Sequence, residues 1–142
     1  MRIIGHGVDL VEIARIERML DEHGDRFVAR CFTVGERDYA DASTAVRGER
    51  FAARFAAKEA VLKALGTGLR DGIDWTDIDV RRDGAGRPSL SLSGRAAEIA
   101  ASLGIDAWAI SLSHAGGMAM ASVIAWRMDA DTAGGGVALG HA

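Results

Sequence analysis

The chain has 142 residues, of which 49% are hydrophobic and 26% are charged, and its formal net charge is −3. This balance is typical of one soluble globular domain, and it excludes a disordered chain. No apolar run reaches the roughly 18 residues of a membrane span, and the net negative charge does not favour a nucleic-acid-binding protein.

The N-terminus and the cysteine usage predict where the protein works. Met1 to Gly5 lead straight into strand-like sequence, without the apolar stretch and cleavage site of a signal peptide. Cys31 is the one cysteine, so the chain cannot form an internal disulfide, which fits a reducing compartment. We therefore expect a cytoplasmic protein.

The start of the chain predicts a strand followed by a helix. Residues 2–10 alternate in character and are rich in Ile and Val, and Gly5 and Gly7 interrupt them. Glycine inside a strand indicates that another part of the protein approaches its backbone closely. From Ile13 the apolar residues recur with the helical period until Gly24, which predicts the end of the helix.

Further helices are predicted before the middle of the chain. A short helix or turn at 27–32 is followed by Thr33 and Glu36, whose spacing is that of a capping box. We expect a helix of about two turns from there to Ala42. A surface loop to Gly48 follows.

Residues 49–65 form the strongest helix prediction, because they are rich in alanine, lack internal Gly and Pro, and end at Gly66. The rest predicts strands at 75–82, 88–92, 107–113 and 118–126, and a helix at 94–103 that Ser93 would cap. Helices mixed with hairpins predict an α+β fold, with a largely antiparallel sheet packed with a long central helix and shorter helices.

No internal repeat or linker divides the chain, so residues 1–127 are predicted to form a single domain of ordinary size. Residues 128–142 contain a run of three glycines and predict a flexible Gly-rich tail.

The helix at 49–65 carries an acid and a base beside small residues. At about 100° per residue, Glu59 and Lys63 share a strip with Ala52 and Ala56, which leaves room for a ligand. The simpler interpretation, which spacing alone favours, is a solvated i,i+4 ion pair worth a few tenths of a kcal/mol.

Lys58 favours the interpretation that a ligand binds beside this helix. It projects close to the centre of the apolar face of this helix, with Arg54 at the edge of that face. An unpaired ammonium there would cost several kcal/mol if desolvated, so Lys58 either reaches water or needs an anion. Lys58 and Lys63 are also the only lysines among 17 basic residues, which suggests that a compact cation is needed beside Glu59.

Loop positions add further candidates, each with two interpretations. Gly66, Thr67 and Gly68 end the long helix, either as a simple cap or as a turn whose backbone N–H groups face a phosphate. Asp9 closes the first strand, either as the N-cap of the next helix or as a ligand-binding carboxylate. His114 follows a later strand, either as a turn histidine bonded to backbone or as a site residue.

Segments in a fixed order carry a family resemblance. They are Gly5-x-Gly-Val-Asp-Leu-Val-Glu-Ile13, then Arg54-Phe-Ala-Ala-Lys-Glu-Ala-Val-Leu-Lys63 with Ala64-Leu65-Gly66-Thr67-Gly68, and Ser111-Leu-Ser-His114. The stretch from Arg30 to Arg37 adds to them. Together they resemble the holo-acyl-carrier-protein synthases, the small 4′-phosphopantetheinyl transferases, over roughly residues 3–126.

The resemblance implies transfer of 4′-phosphopantetheine from coenzyme A to a serine of apo acyl carrier protein, releasing adenosine 3′,5′-bisphosphate and supporting fatty acid biosynthesis. It implies Mg²⁺ held by Asp9 and Glu59, with Lys63 beside the pyrophosphate, these three being the catalytic residues. The carrier serine would attack the β-phosphorus, and its proton would pass either to Glu59 or to a metal-bound water. The coenzyme A site would be lined by Arg54, Lys58, Gly66, Thr67, Gly68 and His114.

The resemblance also implies two protein partners. Acyl carrier proteins are acidic, and Arg15, Arg18 and Arg26 would form the basic surface that binds them, unless neighbouring acidic residues pair with these arginines. The second partner is the chain itself, because the family is homotrimeric with active sites between protomers. A small domain with an exposed apolar sheet can bury that sheet by threefold association.

Other functions remain open on the sequence alone. A metal-dependent phosphohydrolase would use the same pair, Asp9 and Glu59, on a nucleotide. A carrier-protein or nucleotide-binding module would use these carboxylates only as helix caps and ion pairs. Neither nucleic acid nor a membrane is an expected partner, and which carrier protein is served is undetermined.

Overall fold

The computed structural model describes residues 1–129 and confirms the α+β class and the predicted order of elements. Two short 3₁₀ turns join them, at Thr44–Val46 and Trp75–Asp77. The helices and strands are β1 (Arg2–Glu12), α1 (Ile13–Cys31), α2 (Val34–Asp41), α3 (Arg47–Leu65), β2 (Ile78–Arg82), β3 (Pro88–Leu92), α4 (Gly94–Ser102), β4 (Ala107–Ala115) and β5 (Met118–Arg127).

The described strands form two antiparallel sheets. The larger has the order β1-β5-β4, and the smaller is the hairpin β2-β3. Gly7 of β1 lies opposite Val123 of β5, and Asp9 lies opposite Ala121. Val123 and Ala121 are fully buried, so Gly7 and Asp9 belong to the face of the sheet that packs inward.

Helix α3 packs directly against the inner face of β1. A Cβ atom at Gly5 would overlap the carbonyl oxygen of Ala64, and one at Gly7 would overlap that of Ala60. The close backbone approach expected from these two glycines is therefore confirmed. It brings the α3 backbone onto the strand that carries Asp9.

The other face of the larger sheet, called here the outer sheet face, exposes apolar side chains. Ile3 and Leu10 are each 59% exposed, Val8 is 41% exposed, and Met120 of β5 is 38% exposed. Side chains that alternate along a strand point to opposite faces, so Val8 and Leu10 flank the inward-facing Asp9.

The structure tests the predicted ends of several helices. Helix α1 consists of two helical segments joined by a kink at Gly24, whose φ is 49°, in agreement with the predicted end at Gly24 and the short helix after it. The capping box of Thr33 and Glu36 is confirmed by both of its hydrogen bonds. Ser93 makes no side-chain capping bond to α4; Asp77 instead accepts from the Ala96 N–H at 3.3 Å.

Strand β5 ends at Arg127. The predicted flexible tail at 128–142 lies, from residue 130 onwards, outside the described residues, and the domain boundary stays a prediction. Among residues 1–129 no helix combines the length and apolar character that crossing a membrane requires.

Candidate functional site

Two carboxylates from different elements lie close together. Asp9 is on the inner face of β1, two residues beyond Gly7, and Glu59 on α3 precedes Ala60, which contacts Gly7. Burial raises the pKa of Glu59, and the charge of Asp9 raises it further, while Lys63 and Arg15 act in the opposite direction. The N-cap of α1 is Glu12, so the alternative interpretation of Asp9 as that cap is wrong.

Lys63 joins this pair. Its Nζ donates to the carbonyl oxygen of Val8 at 2.8 Å and to Asp9 Oδ1 at 3.1 Å. The Lys63 side chain is 53% exposed and that of Asp9 is 16% exposed. Among the described side chains, Glu59 and Lys63 therefore do not form the simple i,i+4 ion pair, because Lys63 donates to β1 instead. We call Asp9, Glu59 and Lys63 the carboxylate cluster.

The carboxylate cluster fits a hard divalent cation. Within residues 1–129 no group of three or more His, Cys, Asp or Glu side chains is arranged to hold a metal ion. Two carboxylates suit Mg²⁺, which commonly takes one or two protein carboxylates and completes its shell with waters and substrate phosphate oxygens. Asp9 and Glu59 are thus the residues that could hold such an ion.

Lys58 does not face a ligand, contrary to prediction. Its side chain is fully buried, and its Nζ lies 2.7 Å from Glu36 Oε1, 2.6 Å from the carbonyl oxygen of Ile78 and 3.0 Å from that of Trp75. An ammonium has three N–H donors, and all three are used within the protein. The anion that Lys58 requires is therefore Glu36, so Lys58 has no donor left for coenzyme A.

The turn after α3 acts mainly as a helix cap. Gly66 has a φ of 77°, and its N–H donates to the carbonyl oxygens of Leu62 and Lys63. The Thr67 N–H donates to Leu62 as well, at 3.3 Å. Two of the three N–H groups expected to face a phosphate are thus committed to the end of the helix, which corrects the prediction for Gly66 and Thr67, while the prediction for Gly68 stands.

Arg54 and His114 line a second site, a cavity of about 490 Å³. Arg54 is 4% exposed, and its Nε has no hydrogen-bond partner among the described residues. His114 Nδ1 lies 2.7 Å from Glu49 Oε1, so His114 is tied to a side chain rather than to turn backbone. We call this site the arginine cavity, and its polar lining consists of Tyr39, Glu49, Arg50, Arg54, Arg82, Ser111, Ser113 and His114.

The arginine cavity has a concentration of positive charge. The guanidinium carbons of Arg50, Arg54 and Arg82 lie 4.2, 3.9 and 4.9 Å from the centre of the Tyr39 ring. None of the three arginines forms an ion pair within the described part of the chain. Burial lowers the pKa of Arg54, and the charges of Arg82 and Arg50 lower it further. Such a cavity suits a phosphate.

Most of the arginine cavity was not predicted from the sequence. The i,i+4 spacing of Arg50 and Arg54 on α3 was a signal that was available. Tyr39 and Arg82 come from α2 and β2, and their sequence positions carry no indication that they meet at α3.

Within one chain, the carboxylate cluster and the arginine cavity lie apart from each other. On α3, Arg54 and Glu59 are five residues apart, which is about 7.5 Å along the helix axis and about 140° around it. His114 lies on β4, an edge strand of the sheet, while Asp9 lies on the other edge strand, β1, with β5 between them. The residues that the sequence assigned to a single site therefore form two separate groups.

The predicted docking arginines lie on the surface of α1. Arg15, Arg18 and Arg26 are all exposed, and none forms an ion pair within residues 1–129. Pairing with the neighbouring acidic residues, the alternative interpretation, is thus not seen among them. Beside them runs a groove of about 510 Å³, lined by Met19, His23, Arg26, Phe27, Arg30, Cys31, Phe55 and Trp75.

Comparisons with known proteins agree on one similarity. Residues 5–117 match the family described as the 4'-phosphopantetheinyl transferase superfamily. The holo-[acyl-carrier-protein] synthase of Solibacter usitatus is 47% identical over 122 residues, covering 86% of this chain and 97% of that protein.

Solved structures have the same fold. The holo-[acyl-carrier-protein] synthase of Neisseria meningitidis has a TM-score of 0.79 at 32% identity, covering 88% of this chain and 99% of that chain. The Bacillus anthracis enzyme, solved in complex with CoA (3',5'-ADP), has a TM-score of 0.74 at 36% identity, covering 90% and 100%.

Proposed function

This chain belongs to the holo-[acyl-carrier-protein] synthases of the 4'-phosphopantetheinyl transferase superfamily, and we propose that it modifies an apo acyl carrier protein in a Mg²⁺-dependent reaction. The 4′-phosphopantetheine group of coenzyme A passes to a serine of the carrier, and adenosine 3′,5′-bisphosphate is released. We also propose that the reaction supports fatty acid biosynthesis and takes place in the cytoplasm.

The observation that carries this proposal is the meeting of Asp9, Glu59 and Lys63 across β1 and α3. Asp9 and Glu59 would hold Mg²⁺, which supplies charge neutralisation at the diphosphate when it is bound. Lys63, half exposed beside Asp9, would stabilise negative charge on the transferring phosphoryl group.

The arginine cavity supports recognition of the nucleotide end of coenzyme A. That end carries phosphates, and Arg50, Arg54 and Arg82 provide three cations without carboxylate partners among the described residues. Because the Nε of Arg54 is buried and has no hydrogen-bond partner among residues 1–129, an incoming phosphate oxygen would supply the hydrogen bond that this group lacks there. Lys58 has no part in this site.

The surface of α1 supports binding of the acidic carrier. Arg15, Arg18 and Arg26 present unpaired positive charge within the described residues, and the adjoining groove has an apolar floor that includes Phe27 and Phe55. Charge of this kind speeds association and orients the partner. Arg15 also acts on the pKa of Glu59, so the docking surface reaches the carboxylate cluster.

We propose that three copies of the chain associate through the outer sheet face. Exposed apolar residues that lie together often mark an interaction site, and on this face Leu10 lies opposite Met120, with both exposed. The separation of the two groups gives a second reason. A neighbouring protomer that brings its arginine cavity to the carboxylate cluster would complete a binding site for one coenzyme A molecule.

The experiment that tests the proposed function is mass spectrometry of apo acyl carrier protein after incubation with the enzyme and coenzyme A. We expect the carrier to gain the mass of phosphopantetheine with Mg²⁺ and to stay unmodified with chelator. Nucleotide hydrolysis with an unmodified carrier would identify a phosphohydrolase instead. Carrier binding without Mg²⁺ and without release of adenosine bisphosphate would identify a binding module.

A further inference from the structure

Glu36 and Lys58 form an ion pair in the core, and both side chains are completely buried. Glu36 Oε1 also accepts from the Thr33 N–H, and Oε2 accepts from the Val80 N–H, each at 2.8 Å. Lys58 donates to two further carbonyl oxygens, near the start of β2. The pair therefore links α2, α3 and β2 with directional bonds.

A buried ion pair needs a reason other than stability. Replacing such a pair with apolar residues is often neutral or stabilising, because desolvation offsets the attraction between the charges. The reason here lies in the other contact of α3. Ala60 and Ala64 pack on Gly7 and Gly5, backbone against backbone. Beside this backbone contact, the half-exposed Lys63 donates to Val8 and Asp9 of β1. Both contacts lie on the side of α3 that faces β1, so they leave the opposite side of the helix unheld.

Lys58 lies on the side of α3 that faces away from β1. At about 100° per residue, it is roughly 200° around the helix from Ala60. Its three bonds have defined directions and lengths, so they oppose both rotation and sliding of α3. The next residue, Glu59, must keep its position opposite Asp9.

We infer that the Glu36–Lys58 pair is a positioning device, which sets α3 against β1 and thereby holds Glu59 in place beside Asp9. The inference deepens the proposed function and, for its effect on metal binding, rests on it. Both side chains are fully buried, so neither is exposed to a substrate. They act through Glu59.

The test compares Lys58→Met and Glu36→Gln with Ile99→Ala, a control that removes core volume from α4 outside the ion pair. Three quantities are measured on folded protein: NMR contacts between Gly7 and Ala60, Mg²⁺ affinity by calorimetry without coenzyme A, and kcat/KM. We expect both pair variants to weaken the contacts and Mg²⁺ binding, and to lower kcat/KM by about 100-fold, the loss that a misplacement of 1 Å can cause. The control should lose stability without these changes.

Other outcomes are equally decisive. A folded Lys58→Met protein with wild-type contacts and Mg²⁺ affinity would overturn the inference, and so would equal losses in the Ile99→Ala control. If the wild type binds no Mg²⁺ while Lys58→Met still loses the Gly7–Ala60 contacts, the metal proposal fails and the positioning inference stands. If the single variants do not fold, the double variant Glu36→Gln/Lys58→Met, which leaves neither charge unpaired, takes their place in every measurement.

Discussion

Gly7 lies against the carbonyl group of Ala60, so closely that any side chain on Gly7 would overlap that oxygen. Asp9 follows two residues later on the same face of β1, and Glu59 precedes Ala60 on α3. The distance at which the helix meets the strand therefore also sets the distance between the two carboxylates. Packing and chemistry depend on the same contact.

Substitution of Gly7 tests this contact. We expect Gly7→Ala to lower the free energy of unfolding by about 1–3 kcal/mol or more, because the added methyl overpacks a backbone contact. Urea unfolding followed by circular dichroism measures this. Gly35→Ala is the matched control, because no atom of residues 1–129 lies within 4 Å of a Cβ there, and its stability should be unchanged or slightly raised. Equal stability of the two variants would contradict the packing.

Neutral replacements of the carboxylates test the metal site. We expect Asp9→Asn and Glu59→Gln each to lower Mg²⁺-dependent turnover by about 100-fold or more, the loss typical of removing one group that stabilises transition-state charge. The variants should keep a wild-type circular dichroism spectrum. Glu98→Gln, an exposed carboxylate on α4, is the control. Near wild-type activity in either cluster variant would show that the metal assignment is wrong.

The raised pKa of Glu59 predicts how stability changes with pH in chelator. The folded protein holds this proton to a higher pH than the unfolded chain does, so stability falls as pH rises from the ordinary glutamate pKa through the raised one. Glu59→Gln removes that loss. We expect the Tm of the variant minus that of the wild type to increase between pH 4 and pH 7, measured by scanning calorimetry. A difference independent of pH would disprove the coupling.

Charge reversal on α1 tests carrier docking. We expect Arg18→Glu to raise the KM for carrier protein by about tenfold, which corresponds to 1.4 kcal/mol. The effect should be smaller at high salt, because salt screens both the attraction between Arg18 and the acidic carrier and the repulsion between the introduced glutamate and that carrier. The KM for coenzyme A should not change. Arg95→Glu on α4 is the control. Arg15→Glu is a less specific test, because Arg15 also acts on Glu59. An unchanged carrier KM for Arg18→Glu would refute the surface.

Mixing two inactive variants tests the shared site. Asp9→Asn lacks a carboxylate ligand, and Arg54→Met lacks the buried guanidinium of the cavity. If each site takes these residues from different protomers, mixed trimers regain active sites that contain neither substitution. We expect activity to return after the two proteins are unfolded together and refolded. No recovery, with mixed oligomers present by native mass spectrometry, would place both groups in one protomer's site.

The sequence by itself determined the local structure, and the family resemblance of its motifs indicated Asp9, Glu59 and Lys63 as site residues. Alternation and helical period found the strands and helices, because they depend only on neighbouring residues. Thr33 and Glu36 are three residues apart, so their capping box was readable directly. Gly5 and Gly7 indicated a close backbone contact, although not which helix makes it.

Only the tertiary structure decided which side chains meet across long separations. Lys58 needed an anion, and the structure supplies Glu36, 22 residues earlier, instead of a ligand. Arg54 is joined by Tyr39 and Arg82, which arrive on α2 and β2. The physical reason is that neighbouring residues in the sequence set the local backbone geometry. The partners of a side chain depend instead on how helices and strands pack, and packing is a property of the whole core.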